Sequence, residues 1–491
     1  MKAFKEVEAN RRLYHSDPIA NSVHRSSLLV AEMPGAVAEI SFVNHFLLKR
    51  NYTNVGLRVT GVDHGGSRVE SRLFAITEPR VHNFTLTGMF DDPIANYLVE
   101  FFAAENLFIP FPAVMVNHRG PGFLNTVHSY NRALNDIFED DAINEKQVAE
   151  CSIDVLPEPL QTFLLFTAGP AGACGDLELE LATPDTTWNA TVPVVVSRFG
   201  HHPVKVREVF PDLPADGTGV LKVRQPPQPM FYGRMLCGHL DAEGRFTANH
   251  SYYDSSTVEE YWDDARDSYR TYPYLPGIDN RIRMYPTMSP STLTISASLR
   301  GADGIEIAQI PAGEVTSPGT SFLDVSIDSL AESAGIDPAD VRTFTLYASG
   351  EKVPTRINHQ LIHSTGGLES SINVSMINPN VYQPSGKTGL TWGQFPVGGP
   401  LHSRLGIVVN DPTGEPVPVE VTFYGEDGEL GTEKRTLVPG DAVIFDSLDF
   451  ETRNGEMDYL WFYARSPRAD ISALVASLDT TTGSCTGEHS F

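Results

Sequence analysis

Apolar and polar residues alternate along many short stretches of the chain, including residues 57–60, 293–297 and 419–423. Period-two alternation gives a strand one buried face and one solvated face. Turns that contain Gly-Gly or Asp-Gly interrupt this pattern at 63–66, 301–304 and 425–428. Such residues supply the positive φ angles that tight hairpins need. The pattern therefore predicts antiparallel hairpins that pack into layers of β-sheet.

A triplet of an imidazole, a hydroxyl and an aromatic ring recurs along the chain. It occurs as His128-Ser129-Tyr130, His250-Ser251-Tyr252 and His489-Ser490-Phe491, and in a diverged form as Val374-Ser375-Met376. The separations from residue 128 to 250, from 250 to 374 and from 374 to 489 are 122, 124 and 115 residues. Near-equal intervals with a shared motif predict copies of one ancestral unit.

We therefore expect an all-β protein of about four tandem antiparallel β-sandwich modules, immunoglobulin-like or jelly-roll-like in architecture. The predicted division is an N-terminal arm at 1–28, module 1 at 29–150, module 2 at 151–284, module 3 at 285–394 and module 4 at 395–491. Two segments rich in acidic and aromatic residues, 132–150 and 256–269, predict short helical linkers that close modules 1 and 2.

The net charge of −26 argues against two classes of partner. Nucleic acids and anionic membrane surfaces are bound by Lys and Arg, which this acidic chain of 491 residues carries in deficit. The first residues lack the apolar core of a signal peptide, and we find no apolar run long enough for a membrane helix. We expect a cytoplasmic protein, with export by a leaderless route and homo-oligomerisation left open.

The four cysteines, Cys151, Cys174, Cys237 and Cys485, fall at irregular spacings without a C-x-x-C pair. This spacing fits neither a disulfide framework nor a zinc knuckle, and it predicts reduced, buried thiols.

The recurring histidines suggest one metal hypothesis. His128, His250 and His489, with the carboxylates Asp140 and Asp263, offer the ligand types that Zn, Mn or Fe prefer. If the modules brought equivalent strand ends together, the three imidazoles would converge on one divalent ion. The favoured interpretation is structural, with imidazole and hydroxyl groups satisfying backbone groups at a strand end. No cofactor is predicted beyond this ion.

Two further sets of residues are candidates for binding a glycan or protein partner. One set is the histidines expected at loop ends, His118, His239 and His359. The other set is aromatic: Tyr253, Tyr261, Trp262 and Trp392. Flat rings stack on sugars and anchor protein interfaces, whereas packing between modules is the structural alternative.

Two functions are compatible with these features. We find no G-x-S-x-G nucleophile motif, P-loop or dinucleotide-binding fingerprint. The preferred hypothesis is a non-catalytic β-sandwich repeat protein that acts as a binding or scaffold module for a glycan or protein partner. The alternative is a metal-dependent enzyme that uses a histidine–carboxylate site at a junction between modules.

Overall fold

The computed structural model describes residues 24–103, 113–128, 132–133, 149–226, 232–233, 235–254, 262–264, 268–285, 291–316, 319, 322–354, 356–377, 389–410, 414–452, 455–467 and 469–491. These residues form four β-sandwiches in chain order, which confirms the predicted all-β tandem architecture. No helix in this part of the chain has the length and apolar character needed to cross a membrane.

Each module has eight main strands. In module 1 they are β1 (His24–Ala31), β2 (Val37–Val43), β3 (Val55–Val62), β4 (Arg68–Ile76), β5 (Val81–Thr85), β6 (Asn96–Ala103), β7 (Met115–Gly120) and β8 (Phe123–His128), followed by the short β9 (Arg132–Ala133). In module 2 they are β10 (Glu150–Val155), β11 (Gln161–Thr167), β12 (Ala173–Ala182), β13 (Thr187–Val196), β14 (His201–Lys205), β15 (Gly219–Arg224), β17 (Leu236–Leu240) and β18 (Phe246–His250), with the short β16 (Tyr232–Gly233) and β19 (Tyr252–Tyr253).

The other two modules follow the same plan. In module 3 the main strands are β21 (Ser268–Pro273), β22 (Asp279–Met284), β23 (Leu293–Arg300), β24 (Glu306–Val315), β25 (Leu323–Ser326), β26 (Thr343–Gly350), β28 (Arg356–Ser364) and β29 (Ser370–Ile377), with the short pair β20 (Trp262–Asp264) and β27 (Lys352–Pro354). In module 4 they are β30 (Gly389–Val397), β31 (Leu401–Val409), β32 (Val417–Gly425), β33 (Gly428–Leu437), β34 (Ala442–Asp446), β35 (Asp458–Ser466), β36 (Ile471–Asp479) and β37 (Cys485–His489).

All four modules share one strand order. The first layer pairs the first, sixth, third and fourth main strands, as in β1-β6-β3-β4 and β30-β35-β32-β33. The second layer pairs the fifth, second, seventh and eighth, as in β5-β2-β7-β8 and β34-β31-β36-β37. In module 3 one pair of residues, Tyr269 and Ile377, joins the two layers into a continuous eight-stranded sheet.

The described residues contain few helices, and all of these are short. They are α1 (His45–Arg50), α2 (Val206–Val209) and α3 (Ile327–Ser333), with 3₁₀ turns at Pro338–Asp340 and Ser447–Asp449. The predicted helical linkers are not helical where the structure describes them, since 132–133, 150, 262–264 and 268–269 all lie in strands. The aromatic side chains explain the difference, because they favour strands and pair across them, as Tyr269 does with Tyr347 at a ring distance of 5.8 Å.

The boundary between modules 2 and 3 lies earlier than the predicted residue 284. Strand β21 pairs with β26 along its whole length, and β22 pairs with β25 and β28. Both strands therefore belong to module 3. The first strand of module 2 is β10, which begins at Glu150.

Apolar side chains from both layers fill the cores. Val59 and Phe101 in module 1, Leu164 in module 2, Ile295 in module 3 and Phe462 in module 4 have no exposed surface. Burying such a side chain contributes roughly 1.5–3 kcal/mol relative to leaving it exposed. The alternation seen in the sequence is what directs these residues to the inner faces.

The chain forms two compact units. The N-terminal unit contains residues 1–79, 83–121 and 126–255, and therefore most of modules 1 and 2. The C-terminal unit contains residues 80–82, 122–125 and 256–491, and therefore modules 3 and 4.

Within each unit, a hairpin turn of one module packs on the next. The turn between β3 and β4 places Gly66 so close to Arg198 that an added Cβ would lie 2.5 Å from the Arg198 carbonyl oxygen. The turn between β23 and β24 places Gly304 in the same way, with a Cβ 2.4 Å from the Pro439 carbonyl oxygen. Both glycines have positive φ, +80° and +71°. No larger residue fits these two turns without a shift of the neighbouring module.

A second contact repeats beside each turn. The Asn96 Nδ2 donates to the Phe199 carbonyl oxygen at 2.9 Å, and the Thr343 hydroxyl donates to the Gly440 carbonyl oxygen. Phe199 and Gly440 both adopt positive φ, 57° and 85°. The same backbone conformation is therefore kept in both units, although only one of them has glycine there.

Candidate functional site

Two histidines that end equivalent strands face each other in the N-terminal unit. His128 ends β8 and His250 ends β18. Their Nε2 atoms lie 3.2 Å apart, and the rings are nearly perpendicular, with an angle of 84°. His250 is buried, whereas His128 is half-buried. The structure therefore brings together two side chains that the sequence nominated as metal ligands.

Local hydrogen bonds fix the orientation of the His250 ring. Its Nδ1 lies 2.8 Å from the Ser251 carbonyl oxygen, so Nδ1 carries the proton and donates it. In the neutral ring this leaves the lone pair on Nε2, the atom that faces His128. The Asn249 side-chain oxygen accepts the His250 backbone N–H at 2.7 Å and holds the strand end in place.

Ser251 is anchored in turn by buried groups. Its hydroxyl oxygen accepts the Met235 N–H at 3.0 Å, and its own N–H donates to the Met235 carbonyl at 2.9 Å. The hydroxyl also donates to the Glu150 carboxylate, which additionally accepts the Met235 N–H at 2.9 Å and the Gln225 side-chain amide. Glu150 is almost fully buried, so its charge is compensated by these donors.

The same arrangement recurs at the end of module 4. The His489 Nδ1 lies 2.7 Å from the Ser490 carbonyl oxygen, and the Glu488 carboxylate accepts the His489 backbone N–H at 2.9 Å. The Ser490 hydroxyl oxygen accepts the Ala473 N–H at 3.1 Å, as Ser251 accepts that of Met235. The triplets of modules 2 and 4 are therefore equivalent in structure as well as in sequence.

In module 3 the residue equivalent to the triplet histidine is not the one that the sequence comparison aligned with it. The Ser375 hydroxyl donates to the Asn358 side chain at 2.6 Å, as Thr126 does to Asn117 at 2.8 Å in module 1. This correspondence places Ile377 at the position that His128 holds in module 1, rather than Val374 as the sequence comparison suggested. Module 3 therefore has an aliphatic residue where module 1 has an imidazole.

The remaining predicted ligands are His489, Asp263 and Asp140. His489 belongs to the C-terminal unit, where its Nε2 lies 3.8 Å from the Glu488 carboxylate. The backbone of Asp263 is part of β20, but its side chain lies outside the described part of the chain, as does the whole of Asp140. A shared ion for the three histidines stays a prediction.

The histidines proposed as loop-end binding residues point into the protein. His118 and His359 have no exposed surface, and each sits inside its module. The His118 Nε2 lies 3.0 Å from the Ala31 carbonyl oxygen, and the His359 Nε2 lies 3.0 Å from the Tyr272 hydroxyl. Burial lowers the pKa of both imidazoles to about 4, so both are neutral at pH 7. This placement supports a structural role.

His239 is the third member of that set and is partly buried. Its Nε2 lies 3.3 Å from the Asp154 carbonyl oxygen and 3.4 Å from the carboxylate of the same residue. The ring therefore joins β17 to β10 across the two layers of module 2. Such a contact favours packing over ligand binding.

The proposed aromatic binding residues are only partly described. Trp392 is buried and packs against Tyr463 and Phe491, with ring distances of 6.0 and 6.1 Å. Tyr253 and Trp262 contribute backbone to β19 and β20, while their side chains and the whole of Tyr261 lie outside the described residues. The buried position of Trp392 supports the alternative of packing within the protein.

Three of the four thiols are buried as predicted, Cys151, Cys237 and Cys485. Cys174, at the start of β12, is exposed, which corrects the prediction for that residue. All four are unpaired with one another.

Sequence reasoning missed a polar groove on the outer face of module 2. The groove has a volume of about 280 Å³ and crosses β13, β12 and β15. Two rows of paired residues line it: Thr191, Glu178 and Arg224 in one, and Asn189, Glu180 and Lys222 in the other. The Lys222 ammonium also lies 3.0 Å from the Asp254 carboxylate. Alternation places these residues outward, but their convergence requires the pairing of strands distant in sequence.

The comparisons with known proteins add little to this picture. No protein-family model and no curated protein matches the chain. A crystal structure of a tetra-tandem repeat in the extending region of a large adhesion protein aligns at 9% identity over 94% of this chain and 97% of that chain, with a TM-score of 0.10. A TM-score this low does not indicate a shared fold. The four modules of one strand order nevertheless define this chain as a tandem β-sandwich repeat protein.

Proposed function

We propose that the protein is a non-catalytic binding or scaffold module for a glycan or protein partner. The observation that carries this proposal is the fourfold repetition of one strand order, each copy closed on its own apolar core. Similar modules in series display several outer sheet faces, an arrangement that suits avidity or assembly. The glycine-mediated contacts within each unit support a fixed, rather than freely jointed, display of neighbouring modules.

The groove on module 2 is the surface that we propose for the partner. Its amide, hydroxyl, carboxylate and cationic groups can donate and accept hydrogen bonds in the pattern that sugar hydroxyls or a peptide backbone require. The corresponding face of module 4 carries Thr422, Thr432 and Tyr463 together with Glu420 and its partners Lys434 and Arg465. Modules 2 and 4 have therefore diverged on this face, and we expect module 2 to determine the specificity.

A glycan array probed with the labelled full-length chain tests the glycan arm of the proposal. We expect a set of glycans to bind the wild type and to lose at least tenfold in affinity with Glu180→Gln combined with Asn189→Ala. Glu420→Gln, on the corresponding face of module 4, is the matched control and should bind like the wild type. Trp262→Ala separately tests the sequence-based prediction for that ring.

To test for a protein partner, the wild type and the same variants are used as bait. Partners captured by the wild type and by Glu420→Gln, but not by the groove variant, support the proposal. If the groove variant retains every glycan and every protein partner of the wild type, the groove is not the binding surface. A chain that binds neither class of partner contradicts the proposed function.

A further inference from the structure

We propose that His128 and His250 bind a divalent transition metal ion of the zinc class through their Nε2 atoms. This inference goes beyond partner binding and does not depend on it. It rests on the distance between the two nitrogens, on the bonds that orient His250, and on the recurrence of that orientation at His489.

The distance between the two nitrogens suits a shared ion. Zinc binds imidazole nitrogen at about 2.0–2.1 Å and prefers tetrahedral geometry. Two nitrogen ligands of one tetrahedral ion then lie about 3.3–3.4 Å apart. The 3.2 Å between the Nε2 atoms of His128 and His250 differs from this by no more than a few tenths of an ångström. An ion would therefore need little movement of either ring.

The surroundings of His250 match those of a metal ligand. Metal-binding histidines usually donate the second ring N–H to a carbonyl or carboxylate, which fixes the tautomer and directs the ligand atom. The His250 Nδ1 donates to the Ser251 carbonyl, and Ser251 is held by Glu150 and Met235. The edge of the Tyr252 ring, 5.2 Å away, packs on the imidazole and restricts its rotation.

The repetition of this orientation argues that it is a built feature of the fold. His489 makes the same Nδ1 bond to the carbonyl of the following serine, so in both units the local backbone fixes the orientation of the ring through Nδ1. A ring needed only to close the strand end would be satisfied by the Nδ1 bond. The fold thus keeps a second nitrogen in a defined direction in each unit.

The donor atoms determine which ions would bind. Imidazole nitrogens suit Zn²⁺, Cu²⁺, Ni²⁺ and Co²⁺, whereas Mg²⁺ and Ca²⁺ prefer oxygen ligands. Two imidazoles leave coordination positions open for water or further ligands. Because both nitrogens must be unprotonated to bind, metal affinity should fall as the pH is lowered.

Titration of the metal-free full-length chain with Zn²⁺ at pH 7.5, in competition with a chromophoric chelator, tests the proposal. We expect saturable binding of one equivalent at this site. His128→Asn and His250→Asn should each weaken it at least tenfold, because Asn supplies no Nε2 ligand; at position 250 the Asn amide can also replace the Nδ1 donor. His64→Asn, at an exposed histidine of the same unit, is the control and should retain the wild-type affinity.

Two additional measurements separate metal loss from misfolding. Circular dichroism should show that the Asn variants keep the β-sheet content of the wild type, and Zn²⁺ should raise the melting temperature of the wild type and His64→Asn but not theirs. Co²⁺ should give a visible absorption spectrum with the wild type that both Asn variants lose. Absence of saturable Zn²⁺ binding, or wild-type affinity in a folded His250→Asn variant, would overturn the proposal and leave the pair as a hydrogen bond between two imidazoles.

Discussion

At the scale of single residues, burial decides the state of several imidazoles. His118, His359 and His363 are enclosed by their modules, and burial lowers the pKa of each to about 4. The cause is desolvation, because a charged imidazole loses its water when it is enclosed. His359 is also satisfied in its neutral form, with Nδ1 near the Ile357 carbonyl at 3.2 Å and Nε2 near the Tyr272 hydroxyl.

These histidines predict a loss of stability in mild acid. Below pH 6.5 the unfolded chain binds protons at these rings, whereas the folded protein does not until the pH approaches 4. The unfolded state is therefore favoured increasingly across this window. Each pKa unit corresponds to about 1.4 kcal/mol, so each ring costs at most roughly 3 kcal/mol by pH 4.

Urea unfolding at several pH values checks the predicted loss of stability in mild acid. The apparent free energy of unfolding should fall steadily between pH 6.5 and 4, and His359→Gln should reduce the slope by one proton. The exposed His64→Gln is the control and should keep the full slope. A wild-type stability that is constant across this range would contradict the argument.

The sequence could not show which way these histidines point. Imidazole is partly apolar and partly polar, so His118 and His359 were equally compatible with a loop rim and with a core. Strand register decides between the two, because a shift of one residue moves a side chain to the opposite face. The triplet at residues 250 and 489, by contrast, was visible in the sequence because its residues are contiguous.

At the scale of elements, each first layer ends in an exposed edge strand. In modules 2 and 3 these are β13 and β24, which carry the exposed apolar residues Val195 and Ile307. Each also contains a proline, Pro193 and Pro311. Proline removes a backbone N–H and so prevents an edge strand from pairing with another chain.

Replacing Pro193 with Val should therefore promote self-association. The substitution restores an N–H on a strand of high β-propensity that already exposes apolar surface. Light scattering and size-exclusion chromatography at rising protein concentration would detect the larger species. Pro193→Thr also restores the N–H but adds a polar side chain. If it promotes self-association as much as Pro193→Val does, the missing backbone N–H of Pro193 is what protects the edge strand. A Pro193→Val chain that stays as dispersed as the wild type would show that the proline has no such role.

The type of an element was predictable from the sequence where apolar and polar residues alternate regularly. Where they do not, the prediction failed. The hairpin strands β23 and β32 follow the period-two pattern and were foreseen. The segment that contains β21 reads Ser-Tyr-Arg-Thr-Tyr-Pro after an acidic run, and its strand is specified by pairing with β26, which is distant in sequence. Tertiary pairing of this kind overrides local propensity.

At the scale of the whole molecule, the same contacts between neighbouring modules occur in each of the two units. Several equivalent residues recur 238 to 241 positions apart, as for Gly66 and Gly304, His118 and His359, and His250 and His489. The sequence predicted repetition at the level of single modules because the triplets are spaced by about half this distance. The pairing of modules was hidden, because it depends on turn contacts between residues far apart, such as Gly304 and Pro439.

These turn contacts predict that Gly304→Ala destabilises the C-terminal unit. A residue other than glycine at φ +71° costs about 1–2 kcal/mol, and the new Cβ would also collide with the Pro439 carbonyl. Gly335→Ala is the matched control, because its φ is +73° but no atom lies within 4 Å of its added Cβ. Thermal or urea unfolding should show a larger loss for Gly304→Ala than for Gly335→Ala. Equal losses would indicate that the contact between the turns contributes nothing beyond the backbone conformation.

The exposed position of Cys174 provides a natural attachment point for labels. Since the other three thiols are enclosed, a maleimide fluorophore added to the native chain should react at the start of β12, on the strand that also contributes Glu178 and Glu180. The dye would then report on occupancy of the neighbouring sheet face without any engineered cysteine. The same thiol would allow two copies of the chain to be joined covalently under oxidising conditions.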